Sequence, residues 1–174
     1  MPRIKWTDRH FDFNFPVDLY PEVIERLRGT PARLEDLFKL VPDAVLSQRE
    51  MERWSIKENA GHLLDLESLV SQRLDQYLAG VPALHAADMT NRKTFEASHN
   101  DAATGSILLE FRATRKALVE RLDNLEPPDF SRVALHPRLN VPMRLVDMLF
   151  FQAEHDDYHL ARISELLRLF RRLS

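Results

Sequence analysis

Apolar residues recur at helical spacing in four stretches of this sequence, and polar residues interrupt the last of them near its middle. The first stretch runs from about Pro21 to Val41, with Val23, Leu27, Leu34, Leu37, Phe38 and Val41 in one phase. Gly29-Thr30-Pro31 lies inside it. Because the phase continues across the proline, the pattern predicts one kinked helix rather than two separate ones. The second stretch begins at Ser55-Ile56-Lys57-Glu58, a capping box in which the serine oxygen and the glutamate carboxylate each satisfy a backbone N–H of the first turn. It stops at Ala79-Gly80-Val81-Pro82, with glycine just past the helix end and proline after it. Its stripe is Leu63, Leu66, Val70, Leu74 and Tyr77. The third covers about Ala102 to Leu125, with Ile107, Phe111, Leu118 and Leu122 inward, and Pro127-Pro128 ends it. A polar crossover from Pro82 to Asp101 separates the second and third and has room for a short helix. The fourth is expected to start near Pro142, a residue suited to a first helical position, and to reach about Leu173. No alternating β-branched segment bounded by turn residues occurs, so no strand is expected. The pattern predicts an all-α protein, a four-helix bundle with a long crossover between helices two and three, residues 1–174 forming one domain.

Helix four carries the candidate chemistry. Its stripe reads Leu145, Met148, Leu149, then Ile163, Leu166, Leu167, Phe170, and the positions between are Gln152, His155 and His159. At 100° per residue the two histidines lie about 40° apart and point into the bundle. Burying them without partners would cost roughly 1–3 kcal/mol each, so something in the core should satisfy them. His62, one turn past the capping box and near the edge of helix two's apolar face, is a candidate companion. Three imidazoles from two facing helices could meet at one point. Neutral nitrogen donors suit zinc, nickel, copper or iron(II), and three of them leave coordination positions open for water or substrate. The spacing alone leaves a second reading equally open, in which these are core histidines hydrogen-bonded to neighbouring side chains.

Composition narrows the alternatives. The formal net charge of −3 provides no basic field for nucleic acid or anionic membranes. No stretch approaches the ~18 apolar residues of a membrane span, and the N-terminus has no apolar signal region. With only four glycines, a glycine-rich phosphate cradle has little material. The absence of cysteine removes disulfides, thiolate ligands and a cysteine nucleophile together, and accords with a reducing, cytoplasmic setting.

The segment Trp54-Ser55-Ile56-Lys57-Glu58-Asn59-Ala60-Gly61-His62-Leu63-Leu64-Asp65-Leu66-Glu67 resembles the helix-two signature of the DinB/YfiT-like superfamily. The late part of the chain matches it in order and spacing: His136-Pro137, Leu145 to Leu149, then His155-Asp156-Asp157-Tyr158-His159-Leu160-Ala161-Arg162-Ile163. The resemblance spans essentially the whole chain. It implies a four-helix bundle, frequently a homodimer, with nickel or zinc on three histidines, and His62, His155 and His159 fall on the ligand positions. One departure is Pro142-Met143-Arg144, which stands where a Ser or Thr cap is usual. Further candidates around such a site are Asp65, one turn from His62, which could orient an imidazole, and Gln152, which could contact water or substrate. Arg115, at the edge of helix three's inward face, could clamp a substrate carboxylate or merely snorkel. Glu58 is expected to be occupied as the capping acid and His136 to lie near the pocket. His10, His85 and His99 read as ordinary surface or loop histidines.

Related proteins include S-transferases and isomerases dependent on a low-molecular-weight thiol, and others assigned as metal-dependent hydrolases. The resemblance therefore implies an enzyme acting on a small-molecule substrate, its metal activating a thiol cosubstrate or, alternatively, water. A non-catalytic binding module is the second class. A ferritin-like di-iron protein is a third, because Glu96-x-x-His99 has the required spacing, but its only counterpart is Asp156-x-x-His159.

Overall fold

In the computed structural model, which describes residues 3–172, the four amphipathic stretches form four long helices: α1 (Tyr20–Phe38), α3 (Ile56–Ala79), α5 (Thr104–Asp123) and α6 (Leu145–Arg171). Short helices α2 (Asp43–Leu46) and α4 (Arg92–Glu96) lie in the connections, the latter inside the long crossover. α1 packs against α5 and α6, and α3 packs against the same two, so the four close into a bundle.

Local chemistry explains the boundaries. The capping box opens α3, with Ser55 Oγ accepting from the Glu58 N–H at 3.0 Å and the Glu58 carboxylate accepting from the Ser55 N–H at 2.8 Å. Gly80 closes it in the left-handed conformation, φ 69°. α1 runs unbroken through Pro31. Proline has no N–H to give to the carbonyl of Leu27 four residues back; Arg115 Nη1 donates to that oxygen instead, at 3.1 Å. The helix therefore survives its proline because a partner helix supplies the missing donor.

Two expectations need correction. An antiparallel hairpin, β1 (Val133–His136) and β2 (Val141–Arg144), stands between α5 and α6, where no strand was predicted. Four residues per strand are too few for a period to emerge. Pro142 consequently belongs to β2, opposite Leu135, and does not open the last helix. α6 starts at Leu145, where the Arg144 N–H donates to the Asp147 carboxylate at 2.8 Å, so the acid half of a capping box does the work of the absent Ser or Thr. Its expected end at Leu173 lies outside the described residues. Among the described residues no helix is long and apolar enough to cross a membrane.

The core divides in two. Val23, Leu27, Val70, Leu74, Leu118, Leu122 and Met148 pack with the hairpin at one end. Leu34, Ile56, Leu63, Ile107, Phe111, Ile163 and Phe170 pack at the other. Between them each long helix contributes buried polar residues: Thr30, Glu67, Arg115, and on α6 Gln152, His155, Asp156 and His159.

Candidate metal centre

The polar belt holds two separate arrangements. In one, Arg115 donates to Glu67 at 2.6 Å and to Asp156 at 2.6 Å, Thr30 Oγ1 donates to Asp156 at 2.9 Å, and the Gln152 amide donates to Asp156 at 3.0 Å. Burial raises the Glu67 carboxyl above its ordinary range although the Arg115 charge opposes it. Arg115 is thus fully committed inside the bundle and does not line the cavity described below, so it is not placed to clamp a substrate.

The other arrangement is built from His62 on α3 and His155 and His159 on α6. One nitrogen of each can be chosen so that all lie within 4.8 Å of one another, and all three residues are buried. Their outer nitrogens are held individually. The Asn59 amide nitrogen donates to the Ser55 carbonyl at 2.7 Å, which leaves its oxygen to accept from His159 Nδ1–H at 2.9 Å. Thr94 Oγ1, on α4, lies 3.0 Å from His62 Nδ1 and also hydrogen-bonds Asp65. A carboxylate only accepts, so the threonine hydroxyl donates to Asp65 and its oxygen accepts from His62 Nδ1–H. Both rings therefore keep Nε2 free of a proton. His155 Nε2 lies 3.2 Å from His159 Nε2, and its Nδ1 is buried without a partner.

These residues fit a metal ion. Two nitrogens ~2.1 Å from one shared ion, at angles between octahedral and tetrahedral, would lie roughly 3.0–3.4 Å apart, and the observed Nε2 pair falls in that span. Ligation needs neutral imidazole, and burial supplies it: desolvation lowers His62 and His155 to about 3 and His159 well below its ordinary value. Among the described residues this is the one cluster of three or more His, Cys, Asp or Glu side chains so placed. The di-iron alternative finds no support, since Asp156 is paired with Arg115 and Glu96 is exposed.

The triad borders a cavity of about 630 Å³. Trp54 stands 4.7 Å from His62 between ring centres, and Trp6, from the N-terminal segment, meets His155 edge-on at 4.9 Å. Gln152 and His136 also line it. His136 belongs to β1. Asp65 takes a hydrogen bond from His99 Nε2 at 2.9 Å. Burial pushes the Asp65 carboxyl up, but the bonds from His99 and Thr94 outweigh it and hold the group below its ordinary range. His99, read from sequence as a surface or loop histidine, is buried. His10 and His85 are exposed. Glu58 is engaged as capping acid and by Arg49.

Sequence reasoning passed over Arg73, Arg138, Trp6, Trp54 and Met89, all on the cavity wall. For Arg73 a signal existed. His62, Leu66, Leu69 and Arg73 follow one another at i, i+4, i+7 and i+11, one face of α3, and all four line the cavity.

The sequence profile of the DinB superfamily matches residues 26–163. Among solved structures, YfiT from Bacillus subtilis, described as a probable metal-dependent hydrolase with an unusual four-helix bundle topology, superposes with a TM-score of 0.79 at 21% identity over 93% of both chains. A mycothiol-dependent maleylpyruvate isomerase superposes with a TM-score of 0.66 at 11% identity, covering 85% of this chain and 60% of that one. A protein from Streptococcus pneumoniae gives 0.67 at 10% identity over 92% and 93% of the two chains. At these identities the likeness is one of fold. No curated protein matches the sequence.

Proposed function

Because the chain belongs to the DinB superfamily, we propose that it is a metal-dependent enzyme in which His62, His155 and His159 hold one nickel or zinc ion and a low-molecular-weight thiol is transferred to a small electrophile. One observation carries this reading: three imidazoles kept neutral by burial converge on the wall of a large cavity. A closed structural site more often has four protein ligands, whereas three leave room for a reactant. When bound, the ion supplies Lewis acidity that lowers the pKa of a thiol or water enough for its anion to exist near neutral pH.

The chain's own residues do the rest. Thr94, backed by Asp65, and Asn59 hold the outer nitrogens of His62 and His159, which fixes the rotation of both rings. Trp6 and Trp54 shield the triad from bulk water. Gln152, its amide nitrogen given to Asp156, keeps a carbonyl oxygen that can accept a hydrogen bond from a reactant. The sequence contains no cysteine, so nucleophilic sulfur must come from a cosubstrate such as the thiols of a reducing cytoplasm. The fold shared with a mycothiol-dependent isomerase supports the thiol reading, and the description of YfiT supports metal-dependent hydrolysis as the second.

Cobalt substitution separates the readings. Small thiols added to the cobalt-loaded protein should produce sulfur-to-metal charge-transfer bands, and His62→Ala should abolish them. A panel of thiols without spectral effect, together with measurable ester or amide hydrolysis, would overturn thiol transfer in favour of hydrolysis. Silence in both assays would make the protein a binding module.

A further inference from the structure

We propose that Arg73, His136 and Arg138 form a binding site for a carboxylate carried by the substrate, a small molecule whose flat apolar or unsaturated part lies against Trp6 and Phe151. Its identification as a substrate site rests on the enzymatic reading above, although carboxylate binding as such does not.

Arg73 is the first observation. Its side chain is 4% exposed, yet among the described residues it pairs with no carboxylate. Nε and Nη2 donate to the His85 carbonyl at 3.1 and 2.9 Å, and Nη1 faces only His136 Nε2 and the Met148 sulfur. Buried charges in proteins are normally paired. The other deeply buried cations here obey that rule, Arg115 with Glu67 and Asp156, and Lys57 with Asp43. Arg73 is the exception, and it stands on the cavity wall.

The hydrogen-bond roles around His136 sharpen the point. Its Nδ1 accepts the Leu139 backbone N–H at 3.2 Å, which puts the proton of the neutral ring on Nε2. Burial, with the Arg73 and Arg138 charges, lowers this histidine to about 4, so the neutral ring is the form present near pH 7. The 3.5 Å contact between His136 Nε2 and Arg73 Nη1 therefore joins two donors with no acceptor between them. An acceptor from outside the chain, carrying negative charge, would satisfy both.

Arg138, in the turn between β1 and β2, adds a second unpaired guanidinium. Its Nη2 is buried without a hydrogen-bond partner, and its Cζ lies 5.3 Å from the Phe151 ring and 5.8 Å from the Trp6 ring. Two acids line the same cavity, but neither compensates these cations. Asp88 already accepts from Thr90 and from the Arg92 N–H, and Glu52 is exposed. A planar guanidinium fork matches a carboxylate in shape as well as charge. The site also lies at a useful remove from the triad. Trp6 spans the gap, 4.9 Å from Phe151 on one side and 4.9 Å from His155 on the other. A ligand anchored on the arginines and lying along Trp6 and Phe151 would extend toward the imidazoles.

The test is calorimetric titration with phenylacetate, phenylacetamide and phenyl phosphate, on both chelator-treated and zinc-loaded protein. Phenylacetate should bind both preparations, with the isosteric amide at least about tenfold weaker. Arg138→Gln should weaken the acid by about tenfold while leaving the amide unchanged, with the variant's fold checked by circular dichroism. Arg73→Lys, which keeps the charge but loses the fork, should also weaken the acid. Equal binding of acid and amide, or indifference to both substitutions, would overturn the assignment. Phenyl phosphate binding more tightly than phenylacetate would overturn the choice of carboxylate. Binding of phenylacetate only to zinc-loaded protein would place the carboxylate on the ion and refute the arginine site. Carboxylate binding that persists while the cobalt and hydrolysis assays stay silent would refute the enzymatic reading and leave this site standing.

Discussion

The crossover's His99 packs against α3 at Gly61, and Gly61→Ala is the sharpest probe of how the site is supported. A Cβ at this position would sit 2.3 Å from two carbons of the His99 ring and 2.4 Å from its Nδ1. Real Cβ atoms do not come that close, so the ring must leave. Leaving breaks its 2.9 Å bond to Asp65, with both residues buried. A lost hydrogen bond to a charged group costs about 1.5–3 kcal/mol, and overpacking adds roughly 1–3 kcal/mol. Against this, alanine is favoured over glycine inside a helix by ~1 kcal/mol. The net expectation is a loss of about 1.5–5 kcal/mol in urea unfolding of the metal-free protein, where an exposed helical glycine would give a gain. In a His99→Ala background the obstacle is gone, and Gly61→Ala should then stabilise by about 0.5–1 kcal/mol. A Gly61→Ala protein as stable as the original, or one with the same loss in both backgrounds, would refute the packing argument.

Other expectations follow from the same contacts. Ser55→Ala removes the α3 cap and should cost about 1 kcal/mol by chemical denaturation; unchanged stability would mean that Ser55 does not cap the helix. Thr94→Val deletes the acceptor for His62 Nδ1–H and should weaken zinc or nickel affinity by about 10–100-fold in chelator competition, whereas a structural role alone would leave affinity intact. The metal-free protein should lose stability as pH falls from 6.5 toward 4. Burial holds His62 and His155 at about 3 and His136 at about 4, so in that window the unfolded chain takes up protons that the folded one does not. Flat stability across this range would contradict the buried, neutral state of these rings.

The legible part of this protein was its helical periodicity and the place where that periodicity failed. Gln152, His155 and His159 broke an otherwise apolar stripe, and a helix that keeps its phase while turning polar must meet something polar inside. The capping box gave the start of α3 to the residue, and with it the height of His62. Pro142 misled because a proline suits both the first turn of a helix and a short strand, and four-residue strands carry no period. The partners of the triad were hidden for a different reason. Thr94 and His99 come from the crossover and Trp6 from the N-terminal segment, and nothing in their local sequence says where those segments lie. The sequence left Arg115 either clamping a substrate or snorkelling, because inward polar residues look alike in a helical pattern. Its partners Glu67 and Asp156 sit on other helices, 48 and 41 residues away in sequence.

The function proposed for this protein requires that three histidines from two helices hold one ion. Metal analysis of protein purified without a histidine tag, alongside the His155→Ala/His159→Ala variant, measures this directly. The expected result is about one zinc or nickel ion per chain in the unaltered protein and almost none in the variant, with both folded by circular dichroism. Full occupancy in the variant, or an unaltered protein that takes up neither metal when supplied with it, would contradict the account.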